Sequence, residues 1–241
     1  MFDDFPDLLS RVERRARDFL AIGPCCHDWD HTCRVRLLAQ EIQRQEGGDL
    51  QVIELATVLH DIGRPQEILD QGQTCHAQLG AVLADKILLE EGVADSALRR
   101  QIAECVRTHR FRNRQGDTPA SLEAKIVYDA DKLDSMGAIG LARSFHFAGR
   151  VGARVHNLPA EALNSPSYSK EDTAWREFLV KQSHLAERLL TATGRRLATD
   201  RLQYMWEFFS RLNQECGYPA FECGDAQTNE HGDARAQSRA E

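Results

Sequence analysis

Residues 52–61 read Val-Ile-Glu-Leu-Ala-Thr-Val-Leu-His-Asp, an apolar run closed by an adjacent imidazole and carboxylate, His60 and Asp61. Val52, Ile53, Leu55, Ala56, Val58 and Leu59 are apolar nearly all round a helix, so a helix here is expected inside the molecule rather than on its surface. An ionisable pair carried into such a place must be satisfied, because an unpaired carboxylate out of water is costly. Side by side, the two groups offer one neutral and one anionic ligand to a divalent cation, and donors from distant helices can complete its shell.

Working outward, His31 follows Asp28, Trp29 and Asp30, acids suited to capping a helix and complementing its dipole. Downstream, Ala124, Val127, Asp131 and Asp134 recur at spacings of three and four, which puts both carboxylates on one helical face, with Lys125, Asp129 and Lys132 on another. Between these lie His109, in a stripe with Leu98, Ile102, Cys105 and Val106, and His76, which opens a helix whose Leu79, Val82, Leu83 and Ile87 are expected to point inward with it. Six donors are thus available, enough for one ion or for two. Taken singly, a histidine is more ordinary as a core or capping side chain, and His27, His146, His156, His184 and His231 are read that way. The ordered set His31, His60, Asp61 and Asp131 on helices expected to be buried is what points to a metal.

Elsewhere apolar residues recur at helical spacing in nearly every segment, as in Phe5, Leu8, Leu9, Val12, Ala16, Phe19 and Leu20, while period-two alternation is almost absent. The chain therefore reads as all-α, with further helices at about 31–46, 51–61, 75–91, 95–109, 119–134, 136–148, 172–192 and 195–215. Turn chemistry sets breaks at Gly47-Gly48, Gly63-Arg64-Pro65, Gly72, Gly92, Asn113 to Pro119 and Gly194. The last two helices are expected to pack as an antiparallel pair. Residues 150–172, rich in Pro, Asn and Ser, read as a long ordered loop roofing a compact pocket. One domain is expected over 1–217, with a metal core at about 27–148 and a C-terminal helical pair at about 172–215. Residues 218–241 read as a disordered tail.

At 241 residues and 42% hydrophobic content the chain can bury a sizeable core. Its 30 basic and 37 acidic residues give a net charge of -7 and leave no cluster to track a nucleic-acid backbone, so a polymeric nucleic-acid partner is not expected. The N-terminus lacks the layout of a secretory signal and no stretch is long enough to span a bilayer, so no membrane partner is expected. Seven cysteines, Cys25, Cys26, Cys33, Cys75, Cys105, Cys216 and Cys223, are odd in number and form no Cys-x-x-Cys pair, which fits reduced thiols in a cytoplasmic protein.

His31, then His60-Asp61, then Asp131 within Asp-Ala-Asp-Lys-Leu-Asp resembles the ligand order of the HD-domain metal-dependent phosphohydrolase superfamily. The blocks HDWDHTCRV, LHDIGRP, HAQLGAVLADKIL, THRFRN, EAKIVYDADKLDSMGAIGLARSF and GRRLATDRLQYMWEFF are similar to its small stand-alone bacterial YedJ-like or YpgQ-like subgroup, over roughly residues 5–215. The resemblance implies a single helical HD-domain bundle in which His31, His60, Asp61 and Asp131 bind a divalent ion (Mn, Mg, Co, Ni, Zn or Fe). It further implies that Arg64, at the place of a substrate-contacting lysine in many HD proteins, grips a phosphate. With one ion, Asp61 and Asp131 cancel its charge, and Arg64 with Lys132 or Arg143 must attract the phosphate. With two, Asp61 bridges and His76 and His109 hold the second. The first arrangement is favoured, with His76 and His109 facing substrate or a weaker second site, and Asp61 as the catalytic centre of the set. The expected activity is metal-dependent hydrolysis of a small phosphorylated metabolite, a nucleotide first, with release of phosphate or pyrophosphate. Two alternatives stay open: an HD-type di-iron oxygenase and a non-catalytic nucleotide-sensing HD module. Arg64-Pro65 stands where the alarmone hydrolases of the superfamily carry a Glu-Asp pair, and the Gly-Tyr-Pro segment of the cyclic-dinucleotide phosphodiesterases is lacking.

Overall fold

A computed structural model describes residues 4–21, 28–110 and 118–218. Among them the chain is helical with no strand: α1 (Phe5–Leu20), α2 (Trp29–Glu46), α3 (Leu50–Leu59), α4 (Arg64–Leu69), α5 (His76–Glu90), α6 (Ser96–Thr108), α7 (Leu122–Leu133), α8 (Gly137–Arg150), α9 (Pro159–Asn164), α10 (Ala174–Val180), two 3₁₀ turns (Gln182–His184 and Ala186–Arg188) and α11 (Ala192–Glu215).

α3 is the central element. Every residue from Val52 to Leu59 is buried, including Glu54, which Arg36 and Gln40 satisfy from α2, and Thr57, whose hydroxyl donates to Ile53 O and Glu54 O. α1, α2, α6 and α7 pack around it. Side-chain caps fix where α2, α3, α6 and α7 begin. Asp28 accepts from His31 N at 2.9 Å, Asp49 caps α3, Asp95 caps α6 and Ser121 caps α7. Gly63 marks a close approach: a Cβ there would lie 2.3 Å from His76 O, so the turn after Asp61 rests directly on the first turn of α5.

Several expectations are corrected. The helix expected at 172–192 ends at Val180 and continues as the two 3₁₀ turns, so the last two helices are a seven-residue one and a long one, which meet where Trp175 and Phe178 pack on Trp206 and Phe209. Two contacts take the chain off the helical path: the buried Gln182 amide donates to Ser135 O and Ser144 Oγ, and Ser183 Oγ donates to Leu179 O in competition with the backbone. Arg64-Pro65 and Pro159, expected in a break and in a loop, instead open α4 and α9, because proline lacks only a donor that a first turn does not use. On α5 the buried face runs through His76, Ala77, Gly80, Ala84, Ile87 and Leu88, whereas Val82 is 68% exposed, because the close α5–α6 packing selects the small side chains. Residues 150–172 are ordered by α8, α10 and α11: His156 Nε2 meets Asn213 Oδ1 at 2.6 Å, Asn157 holds Thr173 and Glu171, and Tyr168 packs on Phe147. Residues 219–241, and with them the expected tail beyond Tyr218, lie outside the described residues, as do His27, His231 and residues 113–117 of the expected break.

Candidate metal centre

The six expected donors come together. The end of α3 supplies His60 and Asp61, the first turn of α2 His31, the start of α5 His76, the end of α6 His109 and the last turn of α7 Asp131. All but Asp131 are at most 2% exposed. They form two groups, His31 with His60 and Asp131, and Asp61 with His76 and His109. Asp61 lies between them. Its Oδ2 is 3.6 Å from His31 Nε2 and 3.5 Å from His60 Nε2, while its Oδ1 is 3.5 Å from both His76 Nε2 and His109 Nε2. Within the groups His31 and His60 Nε2 are 3.2 Å apart, His31 Nε2 and Asp131 Oδ1 3.4 Å, and His76 and His109 Nε2 3.2 Å.

These spacings fit a cation, since four donors at about 2.1 Å from a tetrahedral ion stand about 3.4 Å from one another. The far nitrogens agree. His60 Nδ1 is 2.7 Å from Thr57 O and His109 Nδ1 2.6 Å from Val106 O; a carbonyl only accepts, so each Nδ1 carries the proton and each Nε2 turns a lone pair to the centre. His31 Nδ1 lies 2.7 Å from Asp134 Oδ2 and His76 Nδ1 2.8 Å from Glu67 Oε2, the carboxylate backing common behind metal-bound imidazoles. Four imidazoles whose Nε2 atoms converge in a buried space are arranged for positive charge.

The electrostatics point the same way. Burial works against charge on His31, yet the hydrogen bonds it donates to Asp131 and Asp134 and the field of Asp61 outweigh it and raise its pKa above the ordinary value. Burial, then the neighbouring imidazole, pushes His76 down, and burial does the same to His109 against the pull of Asp61. Asp131, although desolvation works the other way, is held well below the usual carboxylate range by Lys132 and His31.

Of the residues expected to meet substrate, Arg64 donates through Nη2 to Asp61 Oδ1 at 3.1 Å and through Nη1 to Glu67 Oε2 at 2.8 Å. Lys132 Nζ donates to Asp131 Oδ2 at 2.6 Å and to His109 O at 3.1 Å. Arg143 is engaged elsewhere, its Nη1 on Asp134 Oδ2 at 2.7 Å and Asp134 O at 3.0 Å. Four residues to which the sequence assigns no role complete the surroundings. Asp134 is fully buried and also accepts from Arg34 Nε at 2.7 Å; Glu67 gathers Arg64, Arg110 and His76. The helical phase of Asp134 with Asp131, and the spacing of three between His31 and Arg34 and between Arg64 and Glu67, are the signals that could have found them.

The HD domain family model matches residues 28–136, a span that contains all six donors. The uncharacterized protein YpgQ of Bacillus subtilis is 33% identical over 190 residues, 78% of this chain and 84% of YpgQ. The crystal structure of a predicted HD superfamily hydrolase from an uncultured Thermotogales bacterium is 31% identical and covers 88% of this chain and 92% of its own, with a TM-score of 0.60. That of Bacillus subtilis YpgQ in complex with ADP is 26% identical and covers 88% and 96%, with a TM-score of 0.66. Helices that converge on a His, His-Asp, Asp set, matched along most of their length by these relatives, make the chain a member of the HD-domain superfamily with the fold of its hydrolases.

Proposed function

We propose that the protein is a divalent-metal-dependent phosphohydrolase acting on a small phosphorylated metabolite, with nucleotides as the first substrate class to test. The observation that carries this reading is the Asp61 carboxylate, one oxygen toward each of two donor groups, with cationic side chains close by. Two such groups suit a pair of divalent ions, against the one-ion arrangement favoured from the sequence. Bound there, the ions would supply Lewis acidity toward a phosphoryl oxygen and a solvent nucleophile of lowered pKa.

The chain's own side chains do the rest. Asp61 joins the two groups and fixes their separation. Asp134 holds His31 in place through Nδ1, carbonyls fix His60 and His109 in the tautomer that turns the Nε2 lone pair inward, and Glu67 and Arg110 both meet His76 at Nδ1. Lys132 Nζ stands 2.6 Å from Asp131 Oδ2 and Arg64 Nη2 3.1 Å from Asp61 Oδ1, and a guanidinium can take two phosphate oxygens at once. Arg143, expected from sequence to meet substrate, is better suited to steadying Asp134 behind His31. The nucleotide assignment draws on YpgQ, whose crystal structure is of a complex with ADP.

A panel of nucleoside mono-, di- and triphosphates, each with manganese, magnesium, cobalt, nickel, zinc and iron, scored separately for phosphate and pyrophosphate, tests the reading. Metal-dependent release of either product is expected. Two equivalents of iron with oxygen-dependent turnover would replace it with an oxygenase, and tight nucleotide binding without product under every ion would replace it with a sensor.

A further inference from the structure

Asp61 Oδ1 is shared between two claims. It is the only carboxylate oxygen of the group formed with His76 and His109, and it also accepts from Arg64 Nη2 at 3.1 Å. The two donor groups are unequal in other respects. With Asp61 Oδ2, the His31 side gathers four donors, two of them carboxylates; the His76 side gathers three, and its one carboxylate oxygen already bears a cation. The guanidinium is also incompletely satisfied in this position. Its Nη1 is taken by Glu67 at 2.8 Å, but the buried Nε has no hydrogen-bond partner among the described residues. A buried donor left unmade costs free energy that a new acceptor recovers.

Resting on the two-ion reading above, we propose that Arg64 is a built-in counter-cation for Asp61, which a second divalent ion must displace. The His76–His109 group then fills strongly only when an anion draws the guanidinium off Asp61 Oδ1. Phosphate chemistry fits that part, since its oxygens can engage the fork that the carboxylate gives up. By linkage, an anion that tightens the second ion is itself tightened by it to the same extent. Arg64 would thereby make the charge of the centre depend on the presence of substrate.

Manganese titration of the full-length, metal-free protein, followed by calorimetry and by the paramagnetic signal of coupled manganese pairs, tests this without turnover. The wild type is expected to take one ion tightly and a second weakly, with inorganic phosphate as the probe anion tightening the second. Arg64→Met should tighten the second ion by about tenfold or more without phosphate, within the range by which groups behind metal ligands alter affinity, and should leave phosphate less to add. Arg143→Met removes the same charge from beside Asp134 without touching Asp61 and should tighten the second ion less. Arg64→Gln is the substitute should Arg64→Met lose its helical signal. Two ions bound with equal affinities in all the proteins would overturn the inference and leave the two-ion reading standing. A single ion in every protein, with or without phosphate, would overturn both.

Discussion

Asp61 carries more of this centre than any other side chain, because each of its oxygens faces a different pair of imidazoles. Asp61→Ala is therefore expected to abolish bound metal and turnover while circular dichroism keeps the helical signal of the parent. A variant that remained fully active would refute its place in the chemistry. Asp61 is legible in the sequence because a charged pair ending an apolar run cannot be explained by packing. The same holds for His31, His60 and Asp131, whose order along the chain carries the resemblance. Asp134, Glu67 and Arg34 leave only a spacing there and Arg110 leaves none, since each acts through another side chain. Arg34 meets Asp134 across 100 residues and Arg110 meets Glu67 across 43, separations that a single sequence does not connect.

At the level of elements, α7 and α11 are joined by an interaction that periodicity does not announce. Asp129, fully buried, accepts from Leu190 N at 2.8 Å, Thr191 N at 2.7 Å and Thr191 Oγ1 at 2.6 Å, so a side chain of the metal-bearing helix receives the chain as it enters α11. Gly194 completes the joint: a Cβ there would lie 2.3 Å from Asp129 Oδ2 and 2.8 Å from Thr191 Oγ1. Gly194→Ala should thus destabilise the protein by about 1–3 kcal/mol, the usual cost of overpacking, read as a lowered urea midpoint. An unchanged midpoint would mean that the joint yields without cost. In the same region the sequence misleads. Gly194, which reads as a break, lies inside the first turn of α11, and Trp175, Phe178, Gln182 and Leu185, spaced at three and four, are buried on a path that leaves the α-helix after Val180. Apolar spacings of three and four do not separate an α-helix from a 3₁₀ path, and the buried amide that decides between them finds its partners 38 and 47 residues away.

For the molecule as a whole, His156 couples stability to pH away from the metal centre. It ties residues 150–172 to α11 through Asn213, between the rings of Trp175 and Tyr218. Burial lowers its pKa below the ordinary 6.5, against the pull of the Asn213 hydrogen bond. The unfolded chain then takes up a proton that the folded chain refuses, so this contribution is whole above about pH 6.5 and falls as the pH drops from there toward the folded value. Chemical denaturation at a series of pH values should show stability declining on that acid side, with a shallower slope in His156→Gln. Equal slopes in the two proteins would exclude the coupling. No helix among the described residues is long and apolar enough to cross a membrane.

The contact at Gly63 has a consequence at this scale. Because no methyl group fits between the turn after Asp61 and the first carbonyl of α5, main chain rather than rotamers sets how far that carboxylate stands from His76. Two rigid rods meeting without a cushion cannot part by side-chain motion alone. Whether or not ions come and go, such a centre would keep its donor spacing until the scaffold itself comes apart, so loss of that spacing and loss of shape on heating become a single cooperative event.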